Sequence, residues 1–113
     1  MGYEEENDFM LNMMMFKYSE HYDPDKEIFY EDNNGFEWGM GKYFFSFDPC
    51  NNPTDNYPFL QEMLLSEGFM LKSTHGFYGG RVLYKNTSCT DENFMRATVI
   101  CYLKYKDMFN ENN

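Results

Sequence analysis

At 113 residues the chain is sized for one domain that buries roughly 65% of its unfolded surface, enough for a core without metal or disulfide staples. It carries 19 acidic and 9 basic side chains, a net charge of −10, with 12 Phe, 10 Tyr and a single Trp. Residues 1–32 hold ten acids against Lys17 and Lys26, a front that repels phosphate backbones and argues against direct nucleic-acid binding. That front suits a basic protein surface, or serves simply as a solubilising face.

The first predicted element is a helix from Asp8 to about Glu20, capped by Asp8, with Phe9, Met13, Phe16 and Glu20 at helical spacing. Met10, Met14 and Met15 make it apolar over most of its girth, so burial or a partner is expected. "KEIFYEDNNGFEWGMGKYFFSF" then reads as a hairpin turning at Asn34-Gly35, both of which tolerate positive φ. Alternation puts Phe36, Trp38, Met40 and Phe44 on one face and Tyr43, Phe45 and Phe47 on the other. Gly39 and Gly41 suggest a bulge or a close backbone approach.

A second helix is expected from about Asn56 to Glu67, with Asp55 as N-cap, Pro58 in the first turn and Gly68 at its C-terminal end. Its apolar stripe is Phe59, Leu60, Met63 and Leu64. "FMLKST" and "GRVLYK" form a second hairpin around residues 75–80. A third helix, capped by Thr90 and with Asp91 and Glu92 complementing its dipole, runs to about Met108 and buries Phe94, Ala97, Thr98, Cys101, Tyr105 and Met108. The fold class is thus α+β in the order α-β-β-α-β-β-α, an antiparallel sheet of two hairpins covered by helices in a sandwich. The domain spans residues 1–109, followed by a frayed tail at 110–113.

Cys50, Cys89 and Cys101 are odd in number and lack a CxxC spacing, and "MGYEEEND" has neither the basic nor the apolar region of a signal peptide. Glu6 stands where a myristoylation motif needs Ser or Thr, and no apolar run approaches a membrane span. Reduced thiols, a cytoplasmic location and no membrane partner are therefore expected, which leaves the "NTS" sequon at Asn86 idle.

"CNNPTDNYPF", residues 50–59, is the most informative stretch. It reads first as a turn leading into a capped helix, and second as a recognition surface. In the second reading Asn51, Asn52, Asp55 and Tyr57 gather carboxamides, a carboxylate and a stacking face around a helix start. Tyr78 and Arg81 in "HGFYGGR" could close over a ligand there, or belong to an ordinary hairpin tip. Arg96 either pairs with Asp48 or Asp55 or faces a ligand. "GFEWGMGKY" is not a phosphate loop, since Phe36 replaces its first glycine and Tyr43 its hydroxyl residue. His21 and His75 have no nucleophile motif beside them, and Asp23 and Asp25 flank a turn proline without calcium-loop spacing. No catalytic residue, metal ligand or cofactor is expected.

Three segments carry a family resemblance: "MGYEEENDFMLN", "DPCNNPTDNYPF" and "NFMRATVICYLKYKD". In order and spacing the chain resembles the NinX-like proteins, a small family of tailed phages and prophages of enteric bacteria. Cys50, Asn51, Asn52, Pro53, Asp55 and Pro58 match the middle motif, while Tyr57 replaces the family's usual tryptophan. The resemblance implies an α/β phage accessory protein in the infected bacterial cytoplasm, and implies no reaction. The expected function is binding, as counter-defence through contact with a host protein. The alternatives are sequestration of a nucleotide-like small molecule and an enzyme with an unrecognised site. A homo-oligomer stays open.

Overall fold

A computed structural model of the chain describes residues 2–25, 28–30, 36–40, 43–65, 69–73, 80–84, 87–91 and 93–111; residues 28–30, 36, 40, 43, 44, 69–73, 80–84, 87–91 and 108–111 are described by their backbone alone. The architecture is mixed helix and strand. A 3-10 turn (Tyr3–Glu5) leads into α1 (Asp8–Phe16) and a first antiparallel meander, β1 (Ile28–Tyr30), β2 (Phe36–Met40) and β3 (Tyr43–Phe47). Next come α2 (Pro53–Leu64), a second meander of β4 (Phe69–Ser73), β5 (Gly80–Tyr84) and β6 (Thr87–Asp91), and finally α3 (Phe94–Glu111). Each expected hairpin is therefore a three-stranded sheet. The first β-segment holds two reversals, because the chain turns back between Met40 and Tyr43 where a bulge or a close backbone approach was expected. The Asn34-Gly35 turn and Gly41 lie outside the described residues.

Register corrects the expected faces. Trp38 pairs with Phe45 and Phe36 with Phe47 across β2 and β3, so Trp38 and Phe45 share a face and stack at 4.8 Å. Reversal puts opposite residues of neighbouring strands on one face, whereas one continuous strand would have separated them.

The helices start on asparagines instead of the expected caps. Asn7, not Asp8, caps α1, accepting from the Met10 N–H at 2.8 Å. Asn52, not Asp55, caps α2, accepting from the Thr54 N–H at 2.9 Å, and Pro53 takes the first position. At α3 the Asn93 carboxamide oxygen accepts from the N–H groups of Met95 and Arg96, whereas Thr90 and Asp91 belong to β6. Glu92 and Gly68 lie outside the described residues, and α3 continues into the expected tail as far as Glu111.

Helix α1 ends at Phe16, well short of Glu20, where the Ser19 hydroxyl donates to the Phe16 carbonyl at 2.8 Å and competes for the helix's last acceptors. Its buried face is Leu11, Asn12, Met15 and Phe16; because the helix is apolar nearly all round, spacing alone did not single out a side. Helix α3 is the centre of the molecule. It packs against α1, α2, the 3-10 turn, β5 and β6, and Ala97 to Leu103 are all buried. The stretch 97–103 is buried all round and needs no single stripe, so Val99, Ile100, Tyr102 and Leu103 join the expected Ala97, Thr98, Cys101 and Tyr105. Phe94 packs against this core only partly buried. Edge-to-face rings link the layers: Phe16 meets Phe47 at 5.4 Å, Phe47 meets Phe59 at 6.4 Å, and Phe59 meets Tyr102 at 5.0 Å. Each such pair adds about 0.5–1.5 kcal/mol beyond burial.

Candidate functional site

The segment between β3 and α2 is stitched into the core by asparagines. The Asp48 carbonyl accepts from the N–H groups of Asn51 and Asn52, closing a tight turn. Asn12 enters from α1, fully buried, donating to the Asp48 carboxylate at 2.8 Å and accepting from the Cys50 N–H at 3.2 Å. From the other side Asn56 donates to the carbonyls of Pro49 (2.9 Å) and Met95 (3.1 Å), and Asn93 donates to the Cys50 carbonyl (2.8 Å). Buried carboxamides fit because each presents donor and acceptor to backbone that has no strand or helix to pair with.

These bonds settle the place of four expected site residues. Asn51 donates to Asp8 (3.1 Å) and to both oxygens of Asp48 (3.2 Å), and Asn52 is the helix cap. Asp55 reaches back to accept the Asp48 N–H at 3.0 Å. Arg96 pairs with neither Asp48 nor Asp55 in the described bonds. It meets Asp8 at 2.6 Å and donates to the carbonyls of Glu4 (3.1 Å) and Glu6 (2.6 Å), clamping the N-terminal segment to α3. Tyr57 is exposed and lines an open cavity of about 650 Å³ with Leu60, Phe94 and Met95, apart from Asp55. Tyr78 lies outside the described residues; Arg81 is described by its backbone, opposite Lys72 and Thr90 in the second sheet. No groove joining Tyr57 to Arg81 is therefore described.

A different concavity forms on the other side of α2. Its volume is about 380 Å³; Tyr18, Phe47 and Phe59 wall it, and the carboxylates of Glu20, Asp55 and Glu62 line it. The early end of α1 creates it, since the turn after Phe16 delivers Tyr18 to His21 where a longer helix would have carried them away. Thr54 and Pro58 complete the α2 side. Pro58 stands inside α2 and has no N–H to give the Thr54 carbonyl. His21 and Asp55 also line a neighbouring cavity of about 320 Å³ with Trp38 and Phe45. There His21 stacks on Trp38 at 4.9 Å, which in turn stacks on Phe45.

Charge in this groove is mostly negative. Burial holds the Asp55 carboxyl above the usual carboxylate range and the Asp48 carboxylate adds to this, while the Asp48 N–H and His21 pull the other way. Glu20 faces His21 at 3.8 Å, and Glu62 meets Lys106 at 3.2 Å. Burial and the neighbouring Glu62 push the Tyr102 hydroxyl strongly up, so it stays a donor to Glu62 at 3.2 Å.

Tyr18, Glu20, His21 and Glu62 were absent from the sequence reading as site residues. The signal that could have found them is "YSEHY", a polar-aromatic run directly after an apolar helix, with Ser19 placed to stop it. Among the described residues no three His, Cys, Asp or Glu side chains form a set able to hold a metal ion, and no helix is long and apolar enough to cross a membrane. No family model, no curated protein and no solved structure matches the chain.

Proposed function

We propose that the chain acts by binding, without catalysis, and that its partner is a basic protein surface that places cationic side chains in the groove between the Tyr18–His21 turn and α2. The observation that carries this reading is the lining itself, in which three acidic residues, Glu20, Asp55 and Glu62, meet three aromatic ones, Tyr18, Phe47 and Phe59. Aromatic faces and carboxylates together favour cations with an apolar stem. A net charge of −10 would speed the encounter by long-range attraction. The NinX-like resemblance gives the activity its setting: a phage accessory protein in the bacterial cytoplasm that counters a host defence by contacting a host protein. A nucleotide-like ligand fits less well, because its phosphates would meet these carboxylates and because Asn51 and Asn52 are occupied within the fold.

The test is calorimetric titration with a short lysine- and arginine-rich peptide at low and moderate salt. A Glu20→Gln/Asp55→Asn variant should lose at least about tenfold in affinity, whereas Glu5→Gln/Asp25→Asn, which removes equal charge away from the groove, should lose only what long-range attraction supplied. Equal losses in the two variants would reduce the groove to a generic acidic surface. In plaque assays on a host carrying the relevant defence, the groove variant should lose protection and the control should keep it.

A further inference from the structure

Beside this groove, and sharing Tyr18 and Glu62 with it, three tyrosines gather around a lysine. Lys106 of α3 sends its ammonium into the space between three tyrosines: the nitrogen lies 5.3 Å from the ring centre of Tyr102, 5.4 Å from that of Tyr105 and 5.6 Å from that of Tyr18. The rings stand nearly perpendicular in succession, Tyr18 against Tyr102 at 74° and Tyr102 against Tyr105 at 72°, so they form the walls of a box. Glu62 supplies a carboxylate 3.2 Å from the same nitrogen. Two members of the box, Tyr18 and Glu62, are also groove residues.

We propose that this box is an alkylammonium-binding site, held in the free protein by the chain's own Lys106 and taken over by an ammonium of the partner. The inference rests on the basic-partner reading and names the group recognised. Three ring faces converging at nearly equal distances on one point suit a compact, rounded cation. A guanidinium is planar and is held best by a parallel stack or a two-pronged carboxylate contact. An N-methylated ammonium suits the box better still, because it gives up less hydration on entering an aromatic enclosure.

Exchange is sterically simple. Lys106 sits on a four-carbon stem with its side chain 26% exposed, and the walls on its outer side, Tyr18 and Glu62, are 38% and 44% exposed. The inner walls, Tyr102 and Tyr105, are buried in the core and keep their places. Withdrawal of Lys106 into solvent therefore needs rotamer changes and no movement of α3. In this arrangement Lys106 sets a threshold: only a cation that competes with an intramolecular lysine enters.

Tetramethylammonium chloride is the probe, followed by ring-proton chemical shifts of Tyr18, Tyr102 and Tyr105, with sodium chloride at equal ionic strength as reference. Lys106→Ala and Lys106→Gln each empty the box, and should bind the probe at least about tenfold more tightly than the unmodified chain, with the shifts confined to those three rings. Adding Tyr18→Leu, at an exposed wall, should abolish the gain. Folding of each variant is checked by its melting curve, and two different replacements at position 106 guard against one failing to fold. A folded Lys106 variant whose ring shifts match the unmodified chain overturns the proposal. So does a gain that survives Tyr18→Leu. If that happens while the groove variant still loses the basic peptide, the partner reading stands and the ammonium site alone falls.

Discussion

Asn12→Ala tests whether the asparagine lattice, and not the helix cap alone, holds the β3–α2 connection. The side chain is fully buried, so no water replaces what is lost. Removing it deletes a hydrogen bond to the Asp48 carboxylate, of a kind worth about 1.5–3 kcal/mol; the lower figure applies because Asn51 still contacts both Asp48 oxygens at 3.2 Å. It also removes the carboxamide oxygen that the buried Cys50 N–H donates to at 3.2 Å, a loss worth about 1–3 kcal/mol. The expected loss is therefore about 3–4 kcal/mol, a fall in melting temperature of roughly 10–25 °C for a domain of this size. Urea titration measures it, with the m value unchanged if the same surface unfolds. Asn12→Asp refines the test. The introduced carboxyl keeps an acceptor for Cys50 but faces the Asp48 carboxylate in a buried site, so its folded pKa lies above its unfolded value of about 3.9. A group raised in this way is fully tolerated below the unfolded pKa and becomes destabilising as pH climbs through the folded one. The variant should thus approach the unmodified chain near pH 4 and fall away by pH 7. A loss under about 1 kcal/mol for Asn12→Ala at constant m, or a pH-independent Asn12→Asp, would falsify the lattice argument.

Three further outcomes are expected. Arg96→Lys should cost about 2–3 kcal/mol, because a point ammonium cannot serve Asp8 and the carbonyls of Glu4 and Glu6 together; the amides of residues 3–6 should exchange with solvent faster, and unchanged protection there would remove the clamp. Asn52→Ala should cost about 1 kcal/mol as a lost N-cap, whereas Tyr57→Ala should leave the melt unmoved; the reverse order would make the exposed tyrosine a structural residue. Asp55→Asn should flatten the dependence of stability on pH. The folded carboxyl is raised chiefly by burial, so its contribution is complete below the unfolded carboxylate pKa and is lost as pH rises; urea midpoints of the two proteins should diverge as pH rises above about 4, and parallel curves would contradict the burial.

The helices were legible because each carries an apolar pattern beside capping residues, and the antiparallel pairing was legible in the turn-rich aromatic segments. The helix starts failed for one recurring reason. At each of the three starts several polar side chains could cap: Asn7 or Asp8, Asn52 or Asp55, Asn93 or Thr90. The choice depends on which residue is extended just before the first turn. Pro53 at the first position of α2 fixes that for Asn52, and Pro58 misdirected the reading because it sits inside the helix. The site was less legible still. Glu20, Asp55 and Glu62 come from a turn and two levels of α2, and only the premature end of α1 brings the first of them to the others. No local spacing encodes that meeting, whereas the "CNNPTDNYPF" motif is dense locally because most of its polar groups face one another and the core.

The same distinction bears on what the negative charge is for. The acidic N-terminal third reads in sequence as a free surface, yet two of its ten acids are paired across to α3: Asp8 with Arg96, and Glu4 with Lys104, whose ammonium holds that carboxyl below its ordinary range. The cationic excess of the last third is the counterpart, since Arg96, Lys104 and Lys106 of α3 face Asp8, Glu4 and Glu62. Contact between α3 and the N-terminal segment thus pairs Asp8 and Glu4 internally, while Lys106 is taken by Glu62 of α2. Charge left over after such pairing is what a partner meets. Among the described residues neither Glu20 nor Asp55 has a lysine or arginine beside it; Glu20 has His21, and Asp55 has a backbone N–H and the field of His21. Burial at Asp55 lowers the local dielectric, so an incoming cation gains more there than at a fully hydrated acid of the same chain, with the exposed Glu20 beside the same groove. Placement, more than the net charge of −10, therefore singles out the groove as the surface on which binding should be sought.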